Sequence, residues 1–293
     1  MQTDNTRRIS VCQFSSFRWS FFEDVVRYST EGFESIGVWR RKVDDFGAAA
    51  AIDLLYEMKI SVSSVHWAGG FTGDGQTFAE GIEDAIEAIQ LASRMNAGCL
   101  ILHPGSRNGH THRHAQRLFR SAIDTLIPIS ADYGVKLALE PIPGKRVTPW
   151  TFIEEFDATL RMLDRYSKQR LGMVLDLHHV GFDSRVFESL EQFVDRVELV
   201  QIADRDPDDP QARRLPLGQG QLPLDAWFSK LQRLGYAGKF ELEVHGQGME
   251  GVDYFSLLNS TQSYFETAKI KRLIDARPQT SQPLKDYQLN RRN

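Results

Sequence analysis

The sequence predicts an α/β protein, a parallel (β/α)8 barrel, and two observations carry that expectation. Apolar strand-like runs and amphipathic helix-like runs alternate eight times along the 293 residues, mostly with short connections. Six of the strand-like runs also deliver an acid, an amide or an imidazole at their carboxyl ends: His66, His103, Glu140, Asp176, Gln201 and Glu243. In parallel barrels that end of the strands carries the chemistry. A doubly wound sheet fits less well, because no GxGxxG turn follows the first strand.

The elements follow in order. The first strand is expected at about Ile9–Gln13, with a helix from roughly Ser20 to Thr30. The second strand, Phe33–Trp39, precedes an alanine-rich helix, Phe46–Met58. The third, Ile60–His66, runs into the glycine loop WAGGFTGDG. A helix then spans Phe78 to about Met95, and its Ile82, Ala85, Ile86, Ile89 and Ala92 repeat at the spacing of one buried face. The fourth strand, Gly98–His103, leads through PGSRNGHTHRH into a helix that Gly134 suits as a stop. There His110, His112 and His114 read as a solvated helix entry rather than a metal tract.

The fifth strand, Val135–Glu140, is followed by PIPGKRVTP and a helix over about Thr151–Tyr166. The sixth lies in RLGMVLDLHHVGFD, where an apolar run ends in Asp176, His178 and His179, with a short helix at roughly Arg185–Val194 beyond it. The seventh, Val197–Ala203, enters the longest irregular loop, DRDPDDPQARRLPLGQGQLP. A helix at Leu224–Leu234, the eighth strand at Lys239–His245 and a last helix over about Tyr254–Ile274 complete the series. With no linker evident, residues 1–275 read as one domain and residues 276–293 as a polar tail.

Composition narrows the function classes. Apolar content of 41% and charged content of 25% suit a globular chain with ample core. A net charge of −4 offers no general attraction to nucleic acid or anionic membrane. Two cysteines do not make a disulfide framework, and the amino terminus lacks the apolar core of a signal peptide, so a cytoplasmic location is expected.

Side chains on a strand alternate between faces, which sorts each strand's residues. His103 falls inside with Cys99 and Ile101, Glu140 with Lys136 and Ala138, Gln201 with Val197 and Leu199, and Glu243 with Glu241 and His245. Charges as deep as Lys136 and Glu241 need charged or multiply hydrogen-bonded partners, and each is a candidate partner for the other. Glu140, Asp176, Gln201 and Glu243 are then four oxygen donors from consecutive strands, a set that favours Mg²⁺ or Mn²⁺ and admits Co²⁺ or Zn²⁺. Arg205, Arg213 and Arg214 in the long loop read as a surface cluster or as a grip for a carboxylate or phosphate. Trp39, Trp67 and Phe71 serve equally as pocket wall or as core.

Six segments, LILHPG, VKLALEP, VLDLHH, VQIAD, LPLGQGQLP and GYAGKFELE, together resemble the xylose-isomerase-like TIM-barrel superfamily of sugar isomerases, epimerases, dehydratases and endonuclease IV. The resemblance implies one divalent ion held by Glu140, Asp176, Gln201 and Glu243. It also implies that Glu140 and Glu243 relay protons around a metal-stabilised enediolate. His66, His103 and His179, with Arg205 from the loop, would contact a small sugar or hydroxy-keto substrate. Gln201 departs from the histidine of most epimerases, and the QIAD segment followed by a Pro/Gly-rich GxG is instead similar to hydroxypyruvate isomerases and bacterial 3-dehydroshikimate dehydratases. An isomerase or epimerase is therefore the first expectation and a dehydratase the second, ahead of a non-catalytic sugar-binding barrel. Endonuclease IV chemistry fits poorly, because Gln201 and Arg214 stand where two histidine ligands would be expected. Neither nucleic acid nor membrane is expected as a partner, and a homo-oligomer remains open.

Overall fold

Eight parallel strands close into a barrel in chain order, each hydrogen-bonded to its sequence neighbours and β1 to β8. The computed structural model describes residues 8–73, 75–142, 150–153, 155–209, 211–246 and 251–267. The strands are β1 Ile9–Cys12, β2 Ser35–Trp39, β3 Ser61–Gly69, β4 Cys99–His103, β5 Leu137–Leu139, β6 Leu171–Asp176, β7 Val197–Ile202 and β8 Lys239–Leu242. Around them lie α1 Phe21–Thr30, α2 Arg40–Phe46, α3 Ala48–Glu57, α4 Phe78–Arg94, α5 His112–Asp132, α6 Phe156–Leu163, α7 Leu177–Val180, α8 Ser184–Ser189, α9 Leu224–Arg233 and α10 Tyr254–Glu266. The predicted polar tail lies outside the described residues. Among those that are described, no helix is long and apolar enough to cross a membrane.

Local chemistry sets the helix ends. Ser20 and Thr77 cap α1 and α4, and each forms a reciprocal capping box with a glutamate three residues on, Glu23 or Glu80. The alanine-rich helix begins one element earlier than expected and splits in two at Gly47, whose φ of +97° a side chain would resist. The helix expected at 185–194 is shorter, giving way after Ser189 to two 3₁₀ turns.

The interior has two parts. The larger packs the outer faces of the strands against the helices. The smaller fills the barrel with Cys99 and Ile101 from β4, Ala138 from β5, Val174 from β6 and Leu199 from β7. Two residues further along each strand come His103, Glu140, Asp176 and Gln201, so alternation delivers them to the carboxyl-end mouth above an apolar plug.

Lys136 and Glu241 do have partners, but not each other. Lys136 lies at the amino-terminal end of the barrel and reaches Glu198 at 2.9 Å, with both side chains partly exposed. Glu241 is fully buried, and its carboxylate accepts from Ser63, Ser64 and His66. A long lysine can reach solvent at the rim, whereas a glutamate in the middle of β8 cannot.

Candidate active site

The register of the sheet brings the oxygen donors together. Asp176 pairs with Gln201 across β6 and β7. Glu140 and Glu243 are the first residues past β5 and β8, and their amides still bond to the neighbouring strands, to Leu102 O and Ile202 O. Glu140, Asp176, Gln201 and Glu243 are all buried. Oxygens of Glu140 and Asp176 and a ring nitrogen of His179 lie within 4.8 Å of one another. His103 Nε2 stands 3.3 Å from Glu140, and His179 Nε2 stands 3.4 Å from Asp176. His66 turns instead to Glu241, at 2.9 Å. Arg205 stands further out, half-buried, its guanidinium 5.0 Å from the centre of the Phe182 ring.

Arg214 is the residue that the reading of the loop as a surface cluster misjudged. It is buried, donates to Asp176 at 2.5 Å and to the Glu243 backbone carbonyl at 3.2 Å, and lies 3.6 Å from the Glu243 carboxylate. Its neighbour Arg213 pairs with Asp209 at the surface, as expected of such a cluster. A glycine turn, residues 218–220, follows β7 in the same loop. Its amides at Gly218 and Leu222, with that of Arg205, already donate to the buried Asp204 carboxylate, which pins the loop and so presents Arg205 and Arg214.

These contacts set the protonation states. Burial, reinforced by the Glu243 and Asp176 charges, pushes the Glu140 carboxyl well above the carboxylate range. Burial is the largest influence on Asp176 and Glu243 and would raise both, but the Arg214 guanidinium together with His179 and His178 at Asp176, and with His245 and His66 at Glu243, outweighs it and holds both below their ordinary values. Burial drives His103 down to about 3, His178 to about 2 and His179 to about 4, so all three are neutral at pH 7.

Whether these residues fit a divalent ion turns on one atom. Gln201 Nε2 donates to Glu243, while Gln201 Oε1 is buried without a hydrogen-bond partner. A buried amide oxygen beside three carboxylates and one guanidinium is a donor set short of cations, and oxygen donors of this kind hold divalent ions. The residues fit.

Residues 23–267 match the family model described as xylose isomerase-like TIM barrel. The chain belongs to this family. The inosose isomerase of Bacillus subtilis (strain 168) is 27% identical over 168 residues, 55% of this chain and 56% of the relative, so the match spans about half of that protein's length. The barrel is also similar to the structure of the IolI protein with a bound zinc atom: TM-score 0.75, 17% identity, 91% of this chain and 99% of that one. A 3-keto-D-glucoside 4-epimerase from E. coli superimposes with a TM-score of 0.72 at 14% identity, over 88% of this chain and 98% of that one. At such identities the structural likeness shows the fold.

In this xylose isomerase-like barrel the polar mouth opens into a cavity of about 750 Å³. Phe14, Trp39, Trp67 and Trp150 wall one side, with Trp67 edge-on to Trp150 at 4.6 Å, while His103, His178, His179, Glu140, Glu243 and Arg214 provide polar lining. Of the aromatic residues weighed earlier as wall or core, Trp39 and Trp67 line the cavity, and Phe71 is core, stacked on Phe119. Phe14 and Trp150 gave no signal in the sequence that would single them out, and His178, noted at the end of the sixth strand, was given no role there. His178 and His179 ride on α7, a single turn that Asp176 itself caps by accepting from the His178 amide at 2.8 Å.

Proposed function

We propose that this xylose isomerase-like barrel is a divalent-metal-dependent isomerase or epimerase of a small sugar or hydroxy-keto compound. The observation that carries the reading is the buried set of four oxygen donors, Glu140, Asp176, Gln201 and Glu243, with the Gln201 Oε1 atom unpartnered. One ion, Mg²⁺ or Mn²⁺ by its oxygen ligands, would supply Lewis-acid polarisation of a carbonyl and of the hydroxyl beside it.

Everything else falls to the chain's own side chains. Glu140 and Glu243 sit on well-separated strands, five and eight, so they face a bound α-hydroxy carbonyl from different sides. Their environments push them apart, Glu243 toward the ionised form and Glu140 toward the protonated one, which is how a base and an acid are divided between two carboxyls. Glu243 would take the α-proton, and Glu140 would deliver one to the neighbouring carbon or to the opposite face. Neutral His103 and His179 would hold substrate hydroxyls, Arg205 would meet an oxygen-rich end, and the tryptophan wall would exclude water and cover a sugar face. The names of the relatives, an inosose isomerase and a keto-glucoside epimerase, support a polyhydroxylated keto substrate.

The test is proton NMR in D₂O with Mn²⁺-exchanged or Mg²⁺-loaded protein and a panel of ketoses, aldoses, inososes and dehydroshikimate. Solvent deuterium should enter at the carbon beside the carbonyl of at least one member, with an isomer or epimer accumulating. Exchange followed by loss of a β-hydroxyl would instead identify a dehydratase, the outcome that Gln201 keeps in view. No exchange with any member would point to a binding barrel.

A further inference from the structure

Below the mouth, β1, β3 and the end of β8 bring together a second group, of which the proposed reaction uses Glu243 alone. Cys12 Sγ, His66 Nε2 and one oxygen from each of Glu241 and Glu243 lie within 4.8 Å of one another, and all four residues are buried. We propose that Cys12, His66, Glu241 and Glu243 form a second divalent-cation site, selective for zinc or cobalt, with Glu243 shared between it and the mouth. Apart from Glu243, it does not rest on the assignment above.

The distances suit a tetrahedral ion. Cys12 Sγ stands 3.6 Å from His66 Nε2. An ion with a bond to sulfur of about 2.3 Å and to nitrogen of about 2.0–2.1 Å separates those two ligands by about 3.5 Å. His66 Nε2 and Glu241 Oε1 are 2.9 Å apart, a hydrogen-bond length that needs only a few tenths of an ångström of opening to admit an ion between them. Thiolate and imidazole ligands favour zinc and its neighbours over the hard Mg²⁺ expected of the mouth.

The surroundings are those of a held ligand. Ser63 and Ser64 donate to Glu241 Oε2 at 2.5 and 2.7 Å, which fixes the carboxylate and leaves Oε1 facing His66 and Cys12. Ser10 steadies Ser63 at 2.6 Å. Gly37 on β2 makes the room, since a Cβ there would come within 2.5 Å of the Glu241 carboxylate. Hydrogen-bonded support of this kind orients metal ligands. The charges agree. With all four carboxyls ionised, as ligation by an ion would leave them, the buried Glu140, Asp176, Glu241 and Glu243 outnumber the guanidinium of Arg214 by three charges. One divalent ion at the mouth leaves one of them, the Cys12 thiolate adds another, and a second divalent ion balances both. Binding releases the Cys12 thiol proton to solvent, and the proton between His66 Nε2 and Glu241 either moves to His66 Nδ1 or, if the imidazole already carries two, leaves for solvent, with no change of oxidation state. His66 lines the main cavity, which gives the ion its way in.

The experiment uses the full chain, stripped with chelator and reloaded with Co²⁺, with metal content measured by plasma mass spectrometry alongside the absorption spectrum. Wild type should take up about two ions per chain and show a thiolate-to-cobalt charge-transfer band, because cobalt reports the ligands that zinc would use. Cys12→Ser should lose the band and about one ion, while Asp176→Asn, altered at the mouth, should keep the band. His66→Gln serves as a second variant and should also lose the band. If wild type binds cobalt without a thiolate band, or if the band survives in Cys12→Ser, the proposal is overturned and the group is a hydrogen-bonded core. One ion with the band, unaffected by Asp176→Asn, would uphold this site and remove the one at the mouth. One ion without the band would do the reverse.

Discussion

Arg214→Met probes how the mouth balances its charge. Arg214 is 7% exposed and its guanidinium sits between Asp176 and Glu243. Methionine fills much of the same volume but leaves Glu140, Asp176 and Glu243 without a buried cation. Breaking a buried ion pair from one side costs about 3–5 kcal/mol. Unfolding entropy of about 2.1 cal/mol/K per residue gives roughly 0.6 kcal/mol/K for a chain of this length, so Tm in EDTA should fall by about 5–8 °C. With saturating Mn²⁺ the ion supplies the missing counter-charge, and the fall should shrink by half or more. Differential scanning calorimetry of wild type and variant under both conditions measures it. An equal fall with and without Mn²⁺ would mean that no ion enters among these carboxylates, and no fall in EDTA would mean that Arg214 does not carry their charge.

Glu140→Gln and Glu243→Gln each keep an oxygen donor but lose the base. Turnover should drop by about a hundredfold or more with detectable metal binding retained; full rescue by excess metal would reduce both to ligands. Gln201→His should keep a divalent ion, since imidazole is an accepted donor; loss of metal from the folded variant, by mass spectrometry, would give the amide another task. Acid should destabilise the metal-free fold. With His103, His178 and His179 held at about 3, 2 and 4 in the folded chain, the unfolded chain binds more protons below pH about 6.5, so stability is fully present above that value and is lost progressively as the pH falls through 4, 3 and 2. Each such group contributes a slope of up to about 1.4 kcal/mol per pH unit, and His103→Gln should remove one share of it in urea titrations at pH 7 and pH 5. An unchanged slope in that variant would mean that His103 is not held neutral by burial.

The barrel was legible because alternation of strands and helices, and of faces within a strand, is a repeating signal. Ile101–His103, Ala138–Glu140, Val174–Asp176 and Leu199–Gln201 each step from plug to mouth as period two requires. Loops carry no such period. Arg213 and Arg214 are adjacent and chemically alike, yet one meets Asp209 at the surface and the other Asp176 in the interior, a difference made by Asp204 pinning the loop. Trp150 likewise reaches the cavity from a connection with no pattern of its own. The Lys136 pairing failed for a related reason: facing inward does not fix depth, and the end of a barrel offers solvent that its middle does not.

The central claim is a divalent ion held by four named oxygen donors, and its location is the most direct test. Crystals of the protein loaded with Mn²⁺, measured at the manganese absorption edge, should give an anomalous peak contacting Glu140, Asp176, Gln201 Oε1 and Glu243, with Arg214 retained beside Asp176. Anomalous density absent from the mouth at saturating Mn²⁺, with the Arg214 guanidinium alone among the carboxylates, would contradict it.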